Sequence, residues 1–109
     1  MSAKESRLEA MEAFLAKDPD DAFTRYALAL EYASVGNSER ALQLLRETIE
    51  RDPGYVPAHH QLGALLARLG QTNEASAVWQ RGIAEARAAK NLHAAHEMQQ
   101  ELELLQEDE

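Results

Sequence analysis

Two consecutive stretches of equal length decide the fold: AFTRYALALEYASVGNSERALQLLRETIERDPGY at residues 22–55 and VPAHHQLGALLARLGQTNEASAVWQRGIAEARAA at residues 56–89. Aligned end to end, they share Leu28 with Leu62, Gly36 with Gly70, Ala41 with Ala75, and Ile49 with Ile83. Between these identical pairs, Leu45 recurs as the equally apolar Trp79. A fixed period of this length indicates supersecondary units that stack on one another.

Each repeat has the pattern of two helices joined by a short turn. In the first, apolar residues recur at helical spacing from about Asp21 to Gly36, and glycine is the usual left-handed residue after a helix. Asn37 or Ser38 then caps a second helix, which ends at the Asp-Pro-Gly of residues 52–54. A turn this short makes the two helices antiparallel neighbours. The second repeat follows the same plan, with Pro57 in its first helical turn.

A single helix is predicted before the repeats, at residues 5–18. Its apolar stripe consists of Leu8, Met11, Phe14 and Leu15. The helix ends at Asp18-Pro19, and Pro19 precedes Pro53 by one full repeat length. The spacing therefore identifies this helix as the second half of a degraded repeat.

Another single helix is predicted after the repeats. The second repeat's last helix is expected to reach about Ala89, because residues 84–90 are strong helix formers, and to break near Asn91. A capping helix then spans residues 92–107, with an apolar stripe of Leu92, Ala95, Met98, Leu102 and Leu105. Negative charge at its carboxyl end favours disorder of residues 107–109.

Composition limits the class of protein. A chain of 109 residues suits one domain, here residues 1–109. The net charge of -8 opposes binding to nucleic acid or to anionic membranes. The chain has no cysteine and its first residues lack the apolar run of a signal peptide, so we expect a cytoplasmic protein without disulfides.

The repeated residues resemble the tetratricopeptide repeat (TPR) family, whose unit of the same length is a helix-turn-helix. The residues that carry the resemblance are Leu28-Ala29, Tyr32, Gly36, Ala41, Leu45 and Pro53 in the first copy, and Leu62-Gly63, Leu66, Gly70, Ala75 and Trp79 in the second. The departures from the family pattern are Arg25 and His59 for its tryptophan, Thr48 and Gly82 for its second alanine, and Arg87 for its closing proline. The resemblance implies an all-α, right-handed α-solenoid of antiparallel helix pairs with about six helices.

The resemblance also implies a binding surface. In the family, side chains of the first helix of each repeat line a concave groove that binds protein segments. The corresponding residues are Phe23, Tyr26, Leu30 and Ala33, then Pro57, His60, Ala64 and Ala67, with Gln61 and Arg68 beside them. Some chaperone co-factors of the family clamp a terminal carboxylate with lysine and asparagine on these helices. Tyr26, Leu30, His60 and Ala64 stand at those positions, so no such clamp is expected.

Sites for chemistry are weakly indicated. His93 and Glu97, one helical turn apart, could supply two metal ligands, with His96 beside them, but the sequence has no HExxH run. It also has no glycine-rich phosphate loop or GxSxG nucleophile motif. We therefore expect no cofactor and no enzyme activity.

Three hypotheses for the function remain open. The first is an adaptor that binds a protein or peptide in the groove. The second is a homo-oligomer closed through the groove or through the Leu102 and Leu105 end of the last helix. The third is a metal-dependent enzyme that uses His93, His96 and Glu97.

Overall fold

The computed structural model describes residues 2–107, and every regular element in that range is an α-helix. The helices are α1 (Ala3–Lys17), α2 (Ala22–Ser34), α3 (Ser38–Arg51), α4 (Val56–Arg68), α5 (Thr72–Ala88) and α6 (Leu92–Glu107). These bounds lie close to the predicted ones, and the predicted all-α fold of about six helices is confirmed. Of the residues predicted to be disordered, Asp108 and Glu109 lie outside the described range.

Side chains cap the starts of α2 and α3, as the sequence predicts, and also the start of α6. The carboxylate of Asp21 accepts hydrogen bonds from the backbone amide of Thr24 at 3.4 Å and from its hydroxyl at 2.7 Å. Both hydrogen bonds lower the pKa of Asp21, and the bond from the Thr24 hydroxyl has the larger effect. Asn37 and Asn91 each accept from the amide three residues further on, at 3.2 and 3.1 Å. Pro57 lies in the first turn of α4, which has no side-chain cap.

Three helices end in the same left-handed turn. Gly36, Gly70 and Lys90 have φ angles of 85°, 80° and 61°. In each turn two backbone amides donate hydrogen bonds to carbonyls of the last helical turn. The amide of Gly36, for example, donates to the carbonyl of Ala33 at 3.1 Å. Lys90 is a non-glycine residue in this conformation, which its sequence context does not predict.

The chain divides into two compact units, with the boundary between Asp52 and Pro53. The first contains α1, α2 and α3, and the second contains α4, α5 and α6. The single-domain organisation stays a prediction.

In the first unit, α2 packs against α3, and α1 packs against α2. The buried apolar residues of α2 and α3 are Leu28, Ala29, Ala41, Leu44, Leu45 and Ile49. By contrast, α1 buries no residue completely. The predicted α1 stripe was wrong in one member, because Phe14 is 62% exposed.

Polar contacts hold α1 to the rest of the first unit. The Tyr32 hydroxyl donates a hydrogen bond to Glu12 at 2.8 Å, and Arg40 Nη2 lies 3.2 Å from the same carboxylate oxygen. The hydrogen bond to Glu12 raises the pKa of Tyr32. Nearer the amino end of α1, Arg7 forms an ion pair with Glu31 at 3.1 Å.

In the second unit, α5 packs against both α4 and α6, and α4 also contacts α6. One apolar cluster contains Val56, Trp79, Ile83, Ala86, Ala95, Met98 and Leu102. A methyl group at Gly63 would overlap the indole of Trp79, so glycine is needed where these helices cross. The predicted α6 stripe was wrong at Leu92, which is 70% exposed.

Candidate protein-binding surface

In the first unit, the predicted groove residues lie on one side of α2. Phe23 is 66% exposed, and Tyr26, Leu30 and Ala33 are half-buried. Their spacing of three, seven and ten positions from Phe23 places them along one helical face. The buried residues Leu28 and Ala29 occupy the core side of the same helix. This face of α2 is therefore apolar and partly open to solvent.

In the second unit, the predicted residues lie on α4 and are more varied. His60, Gln61 and Ala64 are half-buried, while Arg68 and Pro57 are more open to solvent. Ala64 and its neighbour Ala67 also pack against the apolar cluster of this unit. The backbone carbonyl of His60 accepts a hydrogen bond from Trp79 Nε1 at 3.1 Å, which fixes the indole against α4. A groove that combines these residues with those of α2 stays a prediction.

Sequence reasoning missed an apolar cleft between α1 and α2 in the first unit. The cleft has a volume of about 310 Å³ and is lined by Arg7, Ala10, Met11, Phe14, Phe23, Thr24 and Ala27. A helical wheel could have indicated it, because Phe14 points about 100° away from Leu15 and so leaves the buried side of α1. Phe14 and Phe23 thus flank the α1–α2 turn as exposed aromatic rings.

Two buried polar residues, Arg25 and His59, occupy equivalent core positions of the two repeats. Arg25 is 2% exposed; its Nε lies 4.0 Å from Glu47, and its Nη1 has no hydrogen-bond partner among the described residues. His59 is fully buried, with Nε2 2.8 Å from the carbonyl oxygen of Pro53 and Nδ1 without a partner there. The sequence identified both as departures from the family pattern but did not predict their burial.

The candidate metal ligands do not form a cluster. His93 Nε2 lies 3.3 Å from Glu97 Oε1, and His96 is exposed on the same helix. Within residues 2–107, no three His, Cys, Asp or Glu side chains are gathered in a metal-binding arrangement. In the same range, no helix is long and apolar enough to cross a membrane.

The α6 end named in the oligomer hypothesis is used inside its own unit. Leu102 is buried in the apolar cluster, and Leu105 packs against that cluster. Leu104, by contrast, is exposed.

Helix pairs that recur at a fixed period, and exposed apolar residues on the first helix of a pair, define a helical repeat protein of the kind that binds other proteins. The model of the tetratricopeptide repeat family matches residues 1–86. The chain belongs to this family.

Known proteins of similar sequence and fold agree. A TPR repeat-containing protein of Pseudomonas aeruginosa is 33% identical over 91 residues, which are 84% of this chain and 87% of the relative. The solution structure of a tetratricopeptide repeat domain protein from Salinibacter ruber is 39% identical with a TM-score of 0.81, and covers 84% of this chain and 93% of that one.

A more distant structure shares the fold alone. The TPR2B domain of yeast Sti1, solved in its complex with pHsp70, is 17% identical with a TM-score of 0.88. The match covers 97% of this chain and 85% of that one.

Proposed function

We propose that the protein is a non-enzymatic adaptor that binds a protein or peptide segment through the exposed face of α2. The observation that carries the proposal is the partial exposure of Phe23, Tyr26 and Leu30 on one face of α2. Aromatic and apolar side chains left open in this way are the usual anchors of protein-protein contacts. The yeast domain solved with pHsp70 adds a precedent for binding within this fold.

The residues of α2 favour a segment with apolar anchors. On α2 the face is aromatic and aliphatic, whereas on α4 it carries His60, Gln61 and Arg68. An amphipathic helix or an extended peptide with two or three large apolar side chains fits the α2 face. The net charge of -8 opposes binding to nucleic acid and to anionic lipid.

Charge placed on the α2 face tests the proposal. Tyr26→Glu and Leu30→Glu, made separately, should each abolish capture of partner proteins from native cell extract, because a carboxylate cannot enter an apolar contact without a large desolvation cost. Quantitative mass spectrometry of the captured proteins gives the measurement. Circular dichroism checks that both variants stay helical.

A matched control separates this face from general surface stickiness. Leu92→Glu changes an exposed leucine on α6, far along the sequence from α2, and should leave capture unchanged. If the same partners are captured by the wild type and by both α2 variants, the α2 face is not the binding surface.

The nature of the ligand gives a second check. Because Tyr26, Leu30, His60 and Ala64 provide no lysine or asparagine, the acidic C-terminal tail of a large chaperone should not bind. Isothermal titration calorimetry with such a tail peptide should show no heat of binding at micromolar concentrations. Tight binding would refute the apolar character assigned to the groove.

A further inference from the structure

In the second unit, the apolar surface of the α5–α6 pair is covered by a third helix, α4. There α4 packs against both α5 and α6. Ala64 and Ala67 of α4, and Ala94 of α6, pack against the apolar cluster that Trp79 and Met98 help to form. The pair formed by α5 and α6 thus has its apolar surface closed by a third helix.

The first unit contains the corresponding pair without that third helix. Met11 of α1 lies two repeat lengths before Trp79 of α5. The turn between α1 and α2 ends in the capping side chain of Asp21. The turn between α5 and α6 likewise ends in the capping side chain of Asn91. Within the described part of the first unit, no helix lies on α1 and α2 as α4 lies on α5 and α6. The apolar cleft between α1 and α2 is that uncovered surface.

We propose that the cleft between α1 and α2 is a second docking surface, which accepts an amphipathic helix from a different protein. That helix carries large apolar side chains on one face and basic residues at the end beside the α1–α2 turn. This surface shares Phe23 with the α2 face that contains Tyr26 and Leu30, and its other residues lie outside that face.

The shape of the cleft sets the size of the incoming side chains. In the second unit, α4 must present Gly63 because the indole of Trp79 fills the space in front of it. In the cleft, Met11 stands at the position of Trp79, with the small residues Ala10 and Ala27 nearby. The open volume of about 310 Å³ is roughly twice that of an engineered apolar cavity that holds benzene. A partner helix in the cleft can therefore present leucine or phenylalanine at the positions where α4 presents glycine and alanine.

Acidic residues lie at one end of the cleft. Phe14 and Phe23 border the turn that contains Asp18, Asp20 and Asp21. Hydrogen bonds from Thr24 lower the pKa of Asp21, which favours its charged form. The turn therefore presents negative charge to whatever enters the cleft.

The cations near the cleft are largely engaged. Arg51 is paired with Asp20 at 3.0 Å, and Arg7, at the other end of the cleft, is paired with Glu31 at 3.1 Å. Lys17 precedes the acidic turn in the sequence. A basic residue of the partner is therefore the complement at the end beside the turn.

The net charge disfavours a second copy of this chain as the occupant. Each copy carries a net charge of -8, so two copies repel each other at long range. A basic amphipathic helix is attracted by the same field, which favours a different protein as the partner.

Fluorescence anisotropy with a designed peptide tests the proposal. The probe is a labelled helical peptide of about 18 residues, long enough to be helical when bound, with leucines at every third and fourth position. Two versions of the peptide carry arginines, one at the amino end and the other at the carboxyl end. A third version carries glutamates in place of the arginines. One arginine version should bind, and Ala10→Glu or Phe14→Ser in the protein should each weaken it about tenfold or more.

Matched variants make the test specific to the cleft. Ala13→Glu places the same charge on an exposed position of α1 that does not line the cleft, and should leave binding unchanged. Leu30→Glu, which removes the α2 face of the proposed function, should also leave it unchanged. Circular dichroism confirms that Ala10→Glu and Phe14→Ser remain folded; both positions are exposed.

Several results would overturn the proposal. They are no binding of either arginine version, equal binding of the glutamate version, or an equal loss with Ala13→Glu or Leu30→Glu. Light scattering that shows a dimer of the wild type, lost in Ala10→Glu, would overturn it in favour of a second copy in the cleft.

Discussion

The two helix pairs α2–α3 and α4–α5 solve the same packing problem with different side chains. In the first pair, Ala29 and Leu45 are buried, whereas Gly63 and Trp79 are buried at the equivalent positions of the second pair. A larger side chain on one helix is matched by a smaller one on the other. At these two positions the repeat therefore balances the volumes of the two side chains rather than keeping the residue at each position.

A second set of equivalent positions does not keep its combined volume, because both residues of the first unit are larger than those of the second. Arg25 and Thr48 are buried in the first unit, and His59 and Gly82 in the second. A Cβ at Gly82 would lie 2.6 Å from His59 Cβ and 2.7 Å from Met98 Sδ, so α6 takes up the space that a side chain would need. Thr48 instead satisfies its buried hydroxyl by donating to the carbonyl of Leu44 at 2.8 Å. Equivalent positions thus differ according to the helices that surround them.

The largest effect is expected when Gly63 is enlarged. Gly63→Ala forces a methyl group into the indole of Trp79, whose position is fixed by its hydrogen bond to the His60 carbonyl. We expect a loss of about 3 kcal/mol in the free energy of unfolding, reduced only slightly by the better helix propensity of alanine. Chemical denaturation followed by circular dichroism measures it.

The double variant Gly63→Ala with Trp79→Leu tests whether volume is the cause. It recreates the alanine and leucine of the first unit, so it should lose less stability than the sum of the two single changes. If the two losses simply add, the two positions are not coupled by volume.

A smaller effect is expected at Arg25, the buried cation that the second unit replaces by His59. Its Nη1 has no partner within residues 2–107, and Glu47 is 39% exposed and can be hydrated without it. Arg25→Met keeps the apolar volume and removes the desolvated charge, so it should stabilise the protein by about 1 kcal/mol.

The matched change Arg25→Ala also removes the charge but leaves a cavity. It should destabilise the protein by about 2 kcal/mol, as measured by denaturant midpoints. Destabilisation by Arg25→Met as large as that by Arg25→Ala would show that the guanidinium itself stabilises the core.

The smallest effect concerns the left-handed helix ends. Lys90 adopts the conformation that glycine adopts at positions 36 and 70. Lys90→Gly should raise the free energy of unfolding by about 0.5 kcal/mol, because the strain it relieves slightly exceeds the entropy that glycine costs. Gly70→Ala should lower it by about 1 kcal/mol. Thermal melts measure both, and a lower melting temperature for Lys90→Gly would show that Lys90 is not strained.

Most of the fold follows from local signals in the sequence. Helix caps at Asp21 and Asn37, a proline at position 57 and glycines at 36 and 70 act within one turn of chain, so their effect can be predicted without neighbours. The break near Asn91 was predicted, but the left-handed conformation of Lys90 was not, because lysine favours helix.

Burial was predicted less well, because it depends on which helix covers a given face. The apolar stripes included Phe14 and Leu92, yet both remain exposed since no described helix packs over them. Arg25 and His59 are buried for the opposite reason, as neighbouring helices close over them. The α2 and α4 surface residues were chosen by family resemblance, whereas the α1–α2 cleft needed the positions of both helices to be seen.

The weak attachment of α1 has a consequence for the motions of the protein. Because α1 buries no side chain completely and is held by polar contacts such as Tyr32 with Glu12, it is the helix of its unit that opens at the lowest free energy. Its amide hydrogens should exchange with solvent well before those of α3. A helix docked in the cleft touches α1 and α2 together, so occupancy of the cleft would slow that exchange and couple ligand binding to the order of the amino-terminal helix.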